Sequence, residues 1–107
     1  MASRVISADP YELEFDPKTA ALLIIDMQRD FVEPGGFGES LGNDVSILRK
    51  AIAPTKQVLE ACRKLGVMVV HTREGHRPDL TDCPPSKMAR GRPKRKIGDD
   101  GAMGRLL

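Results

Sequence analysis

Four hydrophobic patterns divide the chain. A continuous apolar run, Ala20 to Ile25, ends abruptly at Asp26. A strand that is apolar at every position is one buried on both faces, so the run predicts a central strand of a parallel sheet with helices on each side. From Ile52 onward Val58, Leu59, Cys62 and Leu65 fall at helical spacing, with Lys56, Glu60, Arg63 and Lys64 on the other face, which predicts an amphipathic helix. Pro54 suits its first turn, Gly66 the left-handed position past its end, and Arg63 and Lys64 the negative end of its dipole. Val67 to Thr72 then gives a second short apolar strand. Strand, helix and strand make a βαβ unit whose right-handed crossover leaves the two strands parallel. Asp26 and the Thr72-Arg73-Glu74 segment then share the carboxyl edge, where open α/β sheets bind ligands. The fourth pattern is an alternation, Tyr11, Leu13 and Phe15 against Glu12 and Glu14, which predicts an edge strand laid on the domain.

The remaining segments are loops. Residues 1–18, with Asp9-Pro10 and Asp16-Pro17, form an extended lead-in, and residues 19–107 the α/β portion. Glu33-Pro34-Gly35-Gly36-Phe37-Gly38 breaks regular structure, and its glycines match neither GxxxxGK[ST] nor GxGxxG, so nucleotide binding is not indicated. Gly75 to Arg95 holds four prolines and reads as a loop over the strand ends. Its basic run, Arg90 to Lys96, has no interleaved aromatic residues and reads as solvated loop rather than a nucleic-acid surface. The last stretch, Ile97 to Leu107, carries no recognisable capped element.

Composition narrows the possibilities. At 107 residues the chain is one unit or part of one, and 17 basic against 15 acidic residues give a net charge of +2, too little to draw it to nucleic acid or anionic membranes. No apolar run approaches the length of a membrane span, and the N-terminus lacks the apolar core of a secretory signal, so a cytoplasmic location is expected. Two cysteines, Cys62 and Cys83, make no disulfide framework and have no zinc-ligand spacing.

Asp26 is the first candidate for chemistry. A carboxylate at the end of a buried strand serves either as a general base or as a cap for the next turn, and position alone does not choose. Asp30 lies one helical turn on, placed to position the neighbours of Asp26 or to face solvent. Phe31 and Phe37 are two of only four aromatic residues. Phe31, nearer the strand end, suits a pocket wall; Phe37 serves equally as a plug on the core. His71 and His76 flank Glu74, but with no third histidine a zinc centre is not expected.

The stretch Ala21-Leu22-Leu23-Ile24-Ile25-Asp26-Met27-Gln28-Arg29-Asp30-Phe31 resembles the start of an isochorismatase-like cysteine hydrolase. His71 to Leu80, with the GDDGAMGRLL ending, is similar to the amidohydrolase branch, most of all the biuret hydrolases. The resemblance runs from about Thr19 to the end. It implies a three-layer Rossmann-like fold with a parallel sheet, present here as its N-terminal βαβ portion, and a triad of Asp, Lys and Cys in which Asp26 is the base and Phe31 lines the substrate pocket. Lys and nucleophilic Cys have no counterpart in these residues: Cys62 belongs to the helix face, and Cys83 stands without the helix N-terminus that activates a thiol. Metal binding as in related nicotinamidases is matched only partially, by Glu74-x-His76, so neither metal nor other cofactor is implied. The expected partner is a small amide such as biuret, with no nucleic acid or membrane, in a homo-oligomer where the full domain is present. Alone, the segment is expected to be inactive. Two alternatives stand beside this: a non-catalytic binding protein derived from the fold, and a hydrolase of another small amide or ester.

Overall fold

The computed structural model describes residues 3–89, 97–101, 104 and 105. The lead-in forms an antiparallel pair, β1 (Arg4–Ile6) and β2 (Leu13–Phe15), with Ile6 opposite Leu13 and Arg4 opposite Phe15. The alternation of Tyr11, Leu13 and Phe15 therefore does mark a strand, but β2 pairs with β1 rather than lying on the domain. Tyr11, Leu13 and Ile6 stay exposed.

The apolar run becomes β3 (Ala21–Ile24). After it come three one-turn helices, α1 (Arg29–Val32), α2 (Phe37–Ser40) and α3 (Val45–Leu48). Asp44 caps α3: its Oδ1 accepts the Ser46 hydroxyl at 2.5 Å and the Ser46 N–H at 3.0 Å, which holds this carboxyl below its ordinary range. A 3-10 turn, Arg49–Ala51, leads into α4 (Ile52–Leu65). Gly66 ends α4 at φ 73°, and the Val67 N–H closes on the Cys62 carbonyl at 3.0 Å. Strand β4 (Met68–His71) follows and pairs parallel with β3, Leu22 beside Val69 and Ile24 beside His71.

This βαβ unit is the predicted one, but its covering is not. Helix α4 packs on one face only: Thr55, Leu59 and Cys62 are half-buried, as are Leu22 and Val69, and Ile24 is buried. Val58 and Leu65, expected on the buried face, are 49% and 39% exposed. On the opposite face Leu23, Met68 and Val70 lie open, with Ile25 beyond the strand end. Among the described residues β3 has β4 as its single neighbour. A run without alternation registers that both faces are meant to be covered; it does not say by what.

Gly75 to Arg95 is less of a loop than expected, because α5 (Pro85–Met88) forms one helical turn with Pro85 at its start. The basic run Arg90 to Lys96 lies outside the described residues. Near the end, β5 (Asp100–Gly101) pairs antiparallel with β6 (Gly104–Arg105), where no element was expected. Phe37, Cys83 and Ile97 form a buried cluster, with Phe31, Leu41 and Leu80 packed against it. The region after β4 is thereby tied to the glycine-rich loop after β3.

Candidate active site

The site grows from the two parallel strand ends. The ladder extends one step past β3, with the Thr72 N–H donating to the Ile24 carbonyl at 2.9 Å. Beyond it the chain turns sharply: Asp26 has φ 53°, in the left-handed region. A non-glycine residue there costs roughly 1–2 kcal/mol. Two bonds to one hydroxyl offset that cost. Thr72 Oγ1 accepts the Asp26 N–H at 2.9 Å and donates to Asp26 Oδ1 at 2.8 Å. Net hydrogen-bond contributions of about 0.5–1.5 kcal/mol each make the pair sufficient to hold the strained conformation.

The same bonds decide whether Asp26 is a cap. The N-cap position of α1 is Gln28, and no side chain caps that helix. The Asp26 carboxylate is bonded instead to Thr72, across the strand ends, and Asp26 remains half-exposed.

A second tie lies beside the first. The Gln28 carboxamide bonds both backbone groups of Glu74, its Nε2 donating to the Glu74 carbonyl at 3.0 Å and its Oε1 accepting the Glu74 N–H at 2.9 Å. Glu74 in turn pairs its carboxylate with the ammonium of Lys87 on α5. Thus α5 is drawn toward the strand ends through Glu74.

Asp30 holds the glycine loop rather than a neighbour of Asp26. Its Oδ1 accepts the Phe37 N–H at 2.9 Å, which fixes the start of α2 against α1. The contact is so close that a Cβ on Gly36 would stand 2.5 Å from the Asp30 carbonyl oxygen, and one on Gly38 2.5 Å from that of Phe31. Phe37 is buried in the cluster, as a plug; Phe31 packs against the cluster but is only half-buried.

The histidines separate. His71 ends β4 exposed, whereas the side chain of His76 is only 7% exposed. His76 Nδ1 stands 3.4 Å from Asp82 Oδ1, and its Nε2 has no hydrogen-bond partner among the described residues. The Arg77 N–H, at 3.0 and 3.2 Å from the two Asp82 oxygens, is the main cause that holds the Asp82 carboxyl below its ordinary range, with the nearby His76 adding to it. Among the described residues no three His, Cys, Asp or Glu side chains gather as a metal site needs.

Cys62 is half-buried on the sheet-facing side of α4. A helix turn does begin just after Cys83, contrary to expectation, yet Cys83 is buried against Phe37 and Ile97. The roles of Thr72 and Gln28 were missed from the sequence. The available signal was that each is among the first polar residues after an apolar strand whose carboxyl end meets the other.

Comparison with known proteins bears on the same segment. The isochorismatase domain model matches residues 20–105. The ureidoacrylate amidohydrolase RutB of Caulobacter segnis is 38% identical over 71 residues, which is 66% of this chain and 30% of that protein. RutB proteins from two strains of Caulobacter vibrioides are likewise 38% identical over 71 residues, covering 66% of this chain and 32% and 30% of theirs. The matched stretch thus spans about a third of the length of these relatives. No helix among the described residues is long and apolar enough to cross a membrane. With β3 running into Asp26 and the family match extending over both strands and the ordered segments beyond them, the chain belongs to the isochorismatase family of α/β proteins.

Proposed function

We propose that this chain is the N-terminal part of a cysteine-dependent amidohydrolase for a small amide, with biuret as the substrate. Asp26 is the general base and Phe31 a wall of the substrate pocket. The observation that carries the reading is the fixed carboxylate of Asp26 at the carboxyl edge of two parallel strands, within the family match. Biuret and the ureidoacrylate of the relatives' name share a terminal ureido group, a carbonyl flanked by an amino group and a substituted nitrogen, which supports a small ureido compound as the substrate.

In the reaction Asp26 takes the proton of a cysteine thiol supplied by a segment outside these residues. The thiolate adds to the amide carbonyl, and backbone N–H donors hold the oxyanion. As the C–N bond breaks, the proton passes to the departing nitrogen and ammonia leaves, with the acyl group on sulfur. Water, deprotonated with Asp26 as acceptor, then hydrolyses the thioester and restores the thiol. A lysine from the same outside segment supports the thiolate. The 107 residues alone catalyse nothing in this scheme, because the thiol and the lysine it uses come from outside them.

Ammonia release from biuret by the full-length protein, beside its Asp26→Asn variant, tests the reading. Turnover by the parent and its loss in the variant are expected. Turnover that survives Asp26→Asn overturns the assignment, and ammonia release by the 107-residue chain overturns its inactivity.

A non-catalytic reading is favoured by one observation, the open apolar face of Leu23, Ile25, Met68 and Val70 beside a β3 edge that no other strand pairs with among the described residues. An unpaired strand edge with apolar neighbours takes up another chain readily. A defined homo-oligomer without hydrolysis would support that reading instead.

A further inference from the structure

We propose that Thr72 is the positioning residue of this site: by holding both the N–H and Oδ1 of Asp26, its hydroxyl leaves Oδ2 as the oxygen that receives the nucleophile's proton. The inference rests on Asp26 being the base. It goes further by assigning a second residue and choosing between two oxygens that are equivalent in a freely rotating carboxylate.

A hydroxyl has one proton to give. Thr72 gives it to Oδ1 at 2.8 Å, and with a lone pair accepts the Asp26 N–H at 2.9 Å. The bonds close a ring that includes the Asp26 backbone and its carboxyl group, so they restrict the side-chain torsions as well as the left-handed φ of 53°. The Thr72 bond falls on Oδ1, and Oδ2 is the oxygen outside the ring. A base restricted in this way presents one lone-pair direction to the incoming proton, and misplacement of a reacting group by about 1 Å costs on the order of 100-fold in rate. Thr72 is itself fixed from outside the ring, since its N–H is tied to the Ile24 carbonyl at 2.9 Å. The register of the two strands, Ile24 beside His71, thus sets the position of the base.

The test compares Thr72→Val, Thr72→Ser and Asp26→Asn in the full-length protein, by kcat and KM for ammonia release from biuret. Valine keeps the shape and removes both bonds; serine keeps the hydroxyl. Thr72→Val is expected to lower kcat roughly 10- to 100-fold with KM within about twofold, and Thr72→Ser to restore kcat to within about threefold of the parent. Parental kcat in Thr72→Val, a change confined to KM, or failure of serine to restore the rate overturns the proposal. If Thr72→Val does not fold, amide exchange in the parent decides: protection of the Asp26 N–H supports the ring, and exchange at the rate of an unstructured peptide overturns it. Turnover that persists in Asp26→Asn removes the base itself, an outcome separate from any result at Thr72.

Discussion

Replacing Gln28 by methionine isolates the tie between the two strand-end loops. Methionine has nearly the same length and volume but neither donor nor acceptor of the carboxamide. In the parent, Gln28 bonds the Glu74 carbonyl at 3.0 Å and the Glu74 N–H at 2.9 Å, in a partly buried setting. A typical bond contributes about 0.5–1.5 kcal/mol net, and a buried backbone group left without a partner costs about 1–3 kcal/mol. Water reaches part of this loop and replaces part of the loss, so an intermediate cost of about 1.5–2.5 kcal/mol is expected. Urea slopes for small proteins are about 1–3 kcal/mol/M, and the midpoint for Gln28→Met should fall by about 1 M with an unchanged slope. Gln28→Glu sharpens the test. It keeps an acceptor for the Glu74 N–H but sets a carboxylate oxygen against the Glu74 carbonyl, so it should be at least as destabilising as methionine despite being nearly isosteric. Urea unfolding followed by circular dichroism, with amide exchange at Glu74, measures both. An unchanged midpoint in Gln28→Met, with Glu74 still protected, would refute the claim that this carboxamide holds the loops together.

Two further predictions concern the covered face and the loop after β4. Ile24→Ala, in the buried row facing α4, should cost about 2–5 kcal/mol, whereas Leu23→Ala, at 54% exposure on the open face, should cost less than about 1 kcal/mol in the 107-residue chain. Equal losses in urea unfolding would mean that the open face is covered in solution. Asp82 has a folded-state pKa below its unfolded one, so the stability it lends the 76–83 loop is present above the unfolded value and disappears as pH falls through the lower, folded value. Exchange of the Arg77 N–H should therefore quicken, relative to intrinsic rates, only in the acid range below about pH 4, and Asp82→Asn should abolish that added dependence. Asp82→Asn showing the parent's profile would place its origin elsewhere.

The backbone plan was legible where local chemistry decides it. Pro54 early in α4, Gly66 just past its end, and the helical spacing of Leu59 and Cys62 are signals carried within a single segment. The parallel pairing followed from the helical crossover, which returns the chain to the end where the first strand began and needs only the order of elements. What could not be read was how elements find partners far along the chain. The alternation of Tyr11, Leu13 and Phe15 is compatible with any antiparallel neighbour, and β1, with Val5 and Ile6, lacks a long enough pattern to announce itself as that neighbour. The apolar run at Ala20 to Ile25 records the need for two covered faces, but in these residues α4 supplies one. At the site the contrast is the same. Asp26 stands out because an acid interrupts an apolar run, whereas Thr72 and Gln28 act across 46 positions of sequence, where only register brings them together.

That register governs how the site is assembled. Both ties, Thr72 with Asp26 and Gln28 with Glu74, run between the loop after β3 and the loop after β4, and both belong to the βαβ unit and its strand ends. The orientation of the Asp26 carboxylate therefore depends on β3 and β4 pairing correctly. A slip of one residue between the strands would move Thr72 by about 3.3 Å and turn the neighbouring side chains to the other face, which breaks the ring on Asp26 and the clamp on Glu74 together. Among the described residues Leu23, Met68 and Val70 on the outer side of this sheet are exposed, so little packing there resists such a slip. Polar ties at the strand ends then do what packing does elsewhere: they choose one register out of several that the apolar residues alone would allow. On this account a variant that weakens either tie should loosen the other, because both report the same strand alignment.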